Sequence, residues 1–394
     1  MSRSRNPQKD PPPCIIRPLN TLAFPKGKHP RCELTDTMAT VECETRHLTL
    51  YYASREHAEQ AWYGIIHKIA PLLGSLRESQ AIVGSEEDRA KREYALEMSK
   101  RALITPCQEE AAKFLVSGRY ELAIPGAIFA ITFIKDIHGN GALDLVPPYL
   151  QLAEANLGLG RLGKSEEFLS LANWSILKNP DCSQVIRSQL HRNFGRLYLA
   201  QGKLDDALRE LTKDVYCLSL EKGPEHVVTS GGYYHMAGIF YTQHRVECAL
   251  AFYDKVIDIW YKFLASLRSD STLAEDISES QLQEGVDMIK YIEHTRVKLL
   301  GDDHIASAEA KYTLGLLYIF IGDKKSAFDC LTAAEAVYSR HLGPDHPSTR
   351  DVIQVLKAFP HPGDDGSTMN GSGVALEEMH HPVQGLHNSE QELI

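Results

Sequence analysis

The feature that most constrains this chain is a spacing of 42 residues that recurs through its middle. Small residues stand at this interval, and a second small residue follows each of them 12 positions later. The pairs are Ala111 and Ala123, Ala153 and Ser165, Gly195 and Ala207, and Ala237 and Ala249. A turn that contains Gly118, Gly160 or Gly202 separates the two members in three of the four copies. Small residues on both sides of a turn let two antiparallel helices approach closely, so the pattern predicts a solenoid of helical hairpins.

A later copy repeats the pattern at Gly315, Gly322 and Ala327. Ala249 and Ala327 are 78 positions apart, six short of two periods. We therefore expect one degenerate repeat there, with its second helix near 285–300 and a poorly defined first helix around 267–283. The linkers repeat as well, as Gly223-Pro-Glu-His226, Gly301-Asp-Asp-His304 and Gly343-Pro-Asp-His346. We interpret each Gly as the end of one helix and the acid after it as suited to the start of the next.

These residues resemble the tetratricopeptide repeat family, in the 42-residue form of kinesin light chains, over roughly 100–356. The resemblance implies an all-α solenoid over 84–356, whose first helices line a concave groove for a protein partner. The groove residues that it implies are Gln189, Arg192, Asn193, Arg196, Tyr234, His235, Tyr241, Thr242, Tyr312 and Ile319. A basic, amide-bearing segment beside an aromatic one suits a peptide with carboxylates and an apolar anchor. The alternative is that some of these side chains pack on adjoining helices or on the termini of the same chain.

Composition narrows the class of protein. A net charge of -10 and a pI near 5.9 argue against a nucleic-acid binder. No run of 18 apolar residues could span a membrane, and the first 13 residues lack the apolar core of a signal peptide. We therefore interpret the eight scattered cysteines as reduced thiols in a cytosolic setting. The basic residues 1–31 and the acidic residues 359–394 are expected to be disordered ends.

The segment 32–73 resembles a MYND-type zinc finger, with a leading Cys-Glu-Leu, a second Cys, a Leu-Thr-x-Tyr strand and a helix that carries Trp and His. A working finger of that family binds two zinc ions through about eight Cys and His side chains, four ligands for each ion. Thr35, Arg46 and Ala70 stand where Cys is expected, and Tyr52 or Ala53 takes the place of another. The ligand positions that remain are Cys32, Cys43, His57 and His67.

We therefore expect no zinc cofactor and no intact metal site. Three alternatives stay open for this segment: a relic fold that persists without zinc, a segment that no longer folds by itself, and one improvised site on the four remaining ligands. The helix AEQAWYGIIHKIAPLL keeps an apolar spacing and is expected to dock on the first repeat.

The strings YLQLAEANLGLGR, DCSQVIRSQLHRNFGRLY and TSGGYYHMAGIFY, with PLNTLAFPKGK before the first Cys of the finger, are similar to the zinc finger MYND domain-containing protein 12 family. The match is good over about 15–265 and departs at the zinc ligands. It implies a scaffold in the cytoplasm and cytoskeleton, at the axoneme of cilia and the sperm flagellum. Its implied partners are tetratricopeptide repeat protein 29 and inner dynein arm components.

Two other functions remain to be weighed. A cytosolic adaptor or co-chaperone, acting in cargo transport or dynein-arm preassembly, is suggested by the kinesin-light-chain repeat length. An enzyme is disfavoured because the sequence has no P-loop, no G-x-S-x-G elbow, no H-E-x-x-H and no SET-type catalytic motif. We expect no catalytic residues, and the sequence leaves the oligomeric state open.

Overall fold

The structure is a computed structural model that describes residues 14–25, 27–77, 85–267 and 277–358. The chain forms two compact units, residues 1–203 and residues 204–394, which we call the N-terminal and C-terminal units. The predicted disordered tail, 359–394, lies outside the described residues, as do residues 1–13.

The N-terminal unit begins with a small antiparallel sheet in the order β1-β2-β3. Its strands are β1 (Ile15–Pro18), β2 (Val41–Glu44) and β3 (Thr49–Tyr52). Ile16 lies opposite Cys43, which in turn lies opposite Leu50. The prediction that residues 1–31 are disordered is therefore wrong for β1, because that strand satisfies its backbone hydrogen bonds on β2 and completes the small sheet.

Three helical segments follow the sheet, and each continues directly into the next: α1 (Arg55–Ala61), a π-helical segment (Trp62–Ile66) and α2 (His67–Arg77). They pack on the first helical hairpin, as predicted. A Cβ added at Gly64 would lie 2.7 Å from the Leu122 carbonyl oxygen, so only glycine permits this close crossing. The Gln60 amide donates to the Glu121 carbonyl oxygen at 2.5 Å, and Lys68 pairs with Glu110. Sheet and helices thus share one core with the first repeat.

The rest of the N-terminal unit is helical. Its helices are α3 (Glu86–Val116), α4 (Tyr120–His138), α5 (Val146–Gly158), α6 (Leu162–Lys178) and α7 (Gln184–Ala200). The small residues of the repeat lie buried where paired helices cross, and the Ser165 hydroxyl donates to the Ala153 carbonyl oxygen across one such crossing at 2.9 Å. This contact confirms the interpretation of the small positions as sites of close backbone approach.

The predicted turns have left-handed backbone at one repeated position. The φ angles are 68° at Gly118, 71° at Gly160 and 75° at Gly202. In the fourth copy, His244 takes the same position with φ 58°. Glycine adopts this conformation without the steric cost that a side chain adds, which explains its presence in three copies. His244 keeps the turn geometry without that advantage.

The C-terminal unit contains α8 (Leu204–Glu221), α9 (Val227–Thr242), α10 (Val246–Leu267), α11 (Glu279–Leu300), α12 (Ile305–Ile321), α13 (Lys324–His341) and α14 (Pro347–Ala358). Helices α9 with α10 and α12 with α13 form the hairpins that the small-residue pattern predicts. The second helix of the degenerate repeat is α11. Its first helix is not found among the described residues, and residues 268–276 lie outside them.

Histidines begin three of these helices. In His226, His304 and His346 the Nδ1 atom accepts the backbone N–H of the residue two positions later, at 3.1 to 3.2 Å. The linkers were predicted to end one helix at Gly and to start the next with an acid. The first part is confirmed by φ angles of 97° at Gly223 and 100° at Gly301. The side chain that caps the next helix is the histidine, because its ring nitrogen reaches an otherwise unsatisfied N–H.

Candidate partner-binding surfaces and the segment 32–73

In the N-terminal unit, the predicted groove residues lie on one side of α7. Gln189 is exposed, and Arg192 and Arg196 are half-buried. The Arg196 guanidinium forms an ion pair with Glu154 of α5, with 2.5 Å between Nη1 and Oε1. Helices α5 and α7 are the first helices of successive repeats, so this pair joins their neighbouring sides. We call this surface, made of Gln151, Glu154, Gln189, Arg192 and Arg196, the first-helix face.

Asn193 is buried, in contrast to its expected exposure. It occupies the same repeat position as Gln151, 42 residues earlier. Their amide groups donate to backbone carbonyl oxygens, Asn193 to Gln189 and Gln151 to Gln108, each at 2.9 Å. Both amide oxygens are buried and lack a hydrogen-bond partner. A buried acceptor without a hydrogen-bond partner costs free energy.

In the C-terminal unit, the predicted residues of α9 border a group of tyrosines. Tyr234 is half-buried, and its ring meets that of Tyr291 at 5.8 Å in an edge-to-face arrangement. Tyr253 lies fully buried beneath them. Burial and the neighbouring hydroxyls of Tyr291, Tyr234 and Tyr241 raise the pKa of Tyr253, so its phenol stays neutral. The group forms an aromatic surface with a rim of tyrosine hydroxyl groups.

The other predicted positions of this unit have different environments. His235 and Tyr241 are half-buried, and Thr242 is exposed with its hydroxyl donating to the Gly238 carbonyl oxygen at 2.9 Å. Ile319 is half-buried on α12. Tyr312 is buried, which differs from its expected exposure, because its hydroxyl donates to Asp351 and its ring packs 6.1 Å from that of Tyr261. A role in partner binding remains a prediction for all ten residues.

Three further residues of these surfaces, Glu154, Gln151 and Tyr291, are not among those predicted from the sequence. A signal for the first two was present, because each lies one period of 42 residues before a predicted residue, Arg196 or Asn193. No comparable signal marks Tyr291. It meets Tyr234 only because α11 packs against α9.

The four relic ligand positions do not converge. Cys32 and His57 form one pair, with 3.7 Å between Sγ and Nδ1. The Nδ1 atom of His67 instead bonds to the carbonyl oxygen of Trp62 at 2.9 Å. Cys43 pairs with Cys14, which the sequence analysis placed in the disordered end. Among the described residues, no group of three or more His, Cys, Asp or Glu side chains could hold a metal ion. The donor set therefore does not fit the tetrahedral zinc sites that the resemblance implies.

The pair of Cys14 and Cys43 is a hydrogen-bonded pair of buried thiols. The Cys43 thiol donates to Cys14, and this hydrogen bond lowers the pKa of Cys14 while it raises that of Cys43. Cys107 nearby is an isolated thiol whose pKa burial raises to about 12. These thiols fill apolar space in the core that the small sheet and the helices after it share with the first repeat.

None of the described helices is both long and apolar enough to cross a membrane. No protein-family model matches the chain. Solved structures with similar folds include BtubC (BKLC) from P. vanneervenii, at 14% identity, with 78% of this chain and 98% of that chain covered and a TM-score of 0.41. The apo form of RapI is 12% identical over 65% of this chain and 70% of its own, with a TM-score of 0.36.

A third similar structure contains nearly identical TPR-like repeats of the kinesin light chain type from Podosopora anserina. It is 19% identical, covers 49% of this chain and 94% of its own, and gives a TM-score of 0.27. The predicted fold class is confirmed by the helices of the chain itself: helical hairpins follow one another at the predicted spacing, and a small sheet precedes them.

Proposed function

We propose that this chain is a non-catalytic scaffold that binds a protein partner on the first-helix face of its N-terminal unit. The observation that carries the proposal is the pair of buried, unsatisfied amide oxygens of Gln151 and Asn193, one period apart. Helices α5 and α7 satisfy their own backbone groups internally, so these acceptors need donors from elsewhere. An extended peptide offers backbone N–H groups, which these amides could accept only if the side chains rotate and give up their present hydrogen bonds to the Gln108 and Gln189 carbonyl oxygens.

The charges of the first-helix face narrow the chemistry of this partner. Glu154 already neutralises Arg196. The face therefore presents amide groups and two guanidinium groups, and that of Arg196 pairs with Glu154. It suits an extended, polar segment with hydrogen-bonding side chains, because a hydrogen bond to a guanidinium is charge-assisted and stronger than a neutral one.

The cellular setting is part of the same proposal, and the sequence strings quoted above support it. We propose that the chain acts at the axoneme of cilia and the sperm flagellum, in the cytoplasm and cytoskeleton. It would bind tetratricopeptide repeat protein 29 there and support the placement of inner dynein arms. Its second candidate function is a cytosolic adaptor or co-chaperone, which the 42-residue repeat length of kinesin light chains favours.

The test is affinity capture of the tagged full chain from ciliated or testis tissue, with the detergent-resistant axoneme fraction analysed beside the soluble fraction. We expect tetratricopeptide repeat protein 29 and dynein heavy chains in the resistant fraction. A soluble pool with chaperones or kinesin would instead support the cytosolic adaptor.

Two variants assign the captured partner to a surface. Arg192→Glu reverses the charge on the first-helix face, and we expect it to reduce capture at least tenfold. Arg161→Glu is the matched control, because Arg161 is the exposed N-cap residue of α6 and an acid there suits the helix dipole. Equal capture by both variants would remove the first-helix face from the proposal.

A further inference from the structure

Helix α6 carries an exposed apolar stripe on the side opposite its buried residues. Leu171 is 37% exposed, Trp174 43% and Leu177 70%. A helix turns about 100° per residue, so positions three, four and seven apart lie on one face. Glu167 begins this stripe and Lys178 ends it, while Leu169, Ala172 and Ile176 face the core. We call the surface formed by Glu167, Ser170, Leu171, Trp174, Leu177 and Lys178 the α6 stripe.

Two contacts hold the Trp174 ring in place. The Lys178 ammonium lies 3.9 Å from the centre of the ring, within the range of a cation–π interaction. The other contact is Gly141, where an added Cβ would lie 2.9 Å from the ring edge. Glu167, Ser170, Leu171 and Trp174 line an open concavity of about 430 Å³. An exposed tryptophan with a fixed orientation beside a concavity is typical of an interface anchor, since little side-chain entropy remains to be lost on binding.

We propose that the α6 stripe binds the same stripe of a second copy of this chain, with the two α6 helices antiparallel across a two-fold axis. In this register Glu167 meets Lys178 of the second copy, and Leu171 meets Trp174 of the second copy. Each contact occurs twice, as an isologous interface requires. The concavity beside Leu171 receives the partner ring.

Charge complementarity favours a second copy of the chain as the binding partner, in an antiparallel orientation. The stripe has an acid at its N-terminal end and a base at its C-terminal end. An antiparallel copy therefore brings opposite charges together at both ends, whereas a parallel copy would align like charges. The apolar residues lie between the two charged ends, where an interface excludes water.

The interface is small, because Glu167 to Lys178 spans about 17 Å of helix at 1.5 Å per residue. It belongs to the low end of interface sizes, for which weak association is expected. We expect a reversible dimer with a dissociation constant on the order of tens of micromolar or weaker. This association uses a second helix of a repeat and does not depend on the proposed partner of the first-helix face.

Analytical ultracentrifugation of the purified full chain over a range of concentrations tests the dimer. The variants Glu167→Lys and Lys178→Glu each place like charges at both contacts, and we expect either to weaken dimerisation at least tenfold. The double variant Glu167→Lys/Lys178→Glu restores opposite charges and regains dimerisation in part, because it lacks the contact of Lys178 with the Trp174 ring. An equimolar mixture of the two single variants forms a heterodimer, since each copy then supplies the charge that the other lacks.

Trp174→Ala is expected to abolish the dimer while circular dichroism shows unchanged helicity, because the side chain is partly exposed. Arg161→Glu is the matched charge-reversal control outside the stripe, and it should leave dimerisation unchanged. A wild-type chain that stays monomeric up to its solubility limit overturns the proposal. So does a dimer that the single variants do not weaken, or a double variant that fails to regain it.

Discussion

The carboxylate of Glu154 and the guanidinium of Arg196 lie one repeat period apart in sequence and 2.5 Å apart in space. One other pair of opposite charge in the repeats shares this separation of 42 residues, Asp254 with Arg296, whereas Lys68 and Glu110 have the same separation although Lys68 precedes the repeats. Stacked repeats place equivalent positions of successive copies side by side, so a charge in one copy meets a charge in the next. The repeat period thus organises ion pairs as well as small residues.

The pair of Glu154 and Arg196 predicts a charge-swap rescue. Arg196→Glu places two carboxylates together and should lower the free energy of unfolding by about 1 kcal/mol, since both side chains are only partly exposed. The swap Glu154→Arg/Arg196→Glu should recover most of that loss. Urea denaturation followed by far-UV circular dichroism measures both variants. If the losses in free energy of unfolding caused by Glu154→Arg and by Arg196→Glu simply add up in the double variant, the pair makes no contribution to stability.

Partner capture by variants of α7 gives a second prediction. Replacing Arg192 and Arg196 together with Glu should weaken partner capture while the chain stays helical. The loss of the ion pair with Glu154 should also lower its stability. The charge swap of the previous paragraph separates the two effects, because it keeps the pair but moves the base to α5. Normal capture by the folded double Glu variant would exclude this side of α7 from partner binding.

The left-handed residue His244 predicts a stabilising substitution. Its φ of 58° matches the glycines at the same position of three other repeats. His244→Gly should raise the free energy of unfolding by about 0.5–1 kcal/mol, because glycine adopts this conformation without strain. The neighbouring Gln243, with φ -78°, is the control, and Gln243→Gly should destabilise the chain. The comparison of urea midpoints tests this, and a lower midpoint for His244→Gly would contradict it.

The buried side chain of Arg296 predicts which of two variants, Asp254→Asn or Arg296→Met, is less stable. Its side chain is fully buried, donates to the Ala306 carbonyl oxygen at 2.6 Å and pairs with Asp254. Asp254→Asn leaves the buried guanidinium without its counter-charge and should cost about 2 kcal/mol. Arg296→Met removes the charge at similar volume and should cost less, because an apolar replacement avoids desolvation. Chemical denaturation of the two variants decides the order, and a larger loss for Arg296→Met would contradict this account.

The separation of the four candidate zinc ligands into different contacts predicts that the chain does not depend on zinc. Cys32 with His57 and Cys43 with Cys14 are two pairs, and His67 bonds to a backbone carbonyl. The purified chain should contain far less than one zinc ion, and a chelator should leave its melting temperature unchanged. Elemental analysis and differential scanning calorimetry measure these quantities. One bound zinc ion together with a lower melting temperature after chelation would establish the improvised site.

Much of the repeat fold follows from local sequence. A hairpin needs two small positions and a turn, and Ala153, Gly160 and Ser165 supply them within a few residues. Such a signal is readable because it repeats in a fixed register. The boundary of the sheet was not readable in this way. The strand Ile15–Pro18 is short and has no periodicity, and it forms only because the distant β2 offers a partner.

The candidate site was predictable in part. The side of α7 with Gln189 and Arg192 could be placed by its helical spacing, since that spacing repeats between copies. The burial of Tyr312 could not, because Asp351 and Tyr261 reach it from other helices. Nor could the pairing of Cys14 with Cys43, which depends on how two strands align.

By itself, the sequence determined the repeat period, the close helix crossings at small residues and the glycine turns, because each depends on residues that are near in the chain or on the chemistry of a single side chain. Only the tertiary structure decided which charges pair, which aromatic rings are covered and which cysteines meet. Those outcomes depend on packing between elements far apart in sequence. Trp174 of the α6 stripe depends on both kinds of information. Its position on the helix follows from the sequence spacing, whereas its orientation depends on Gly141, which lies in a preceding loop.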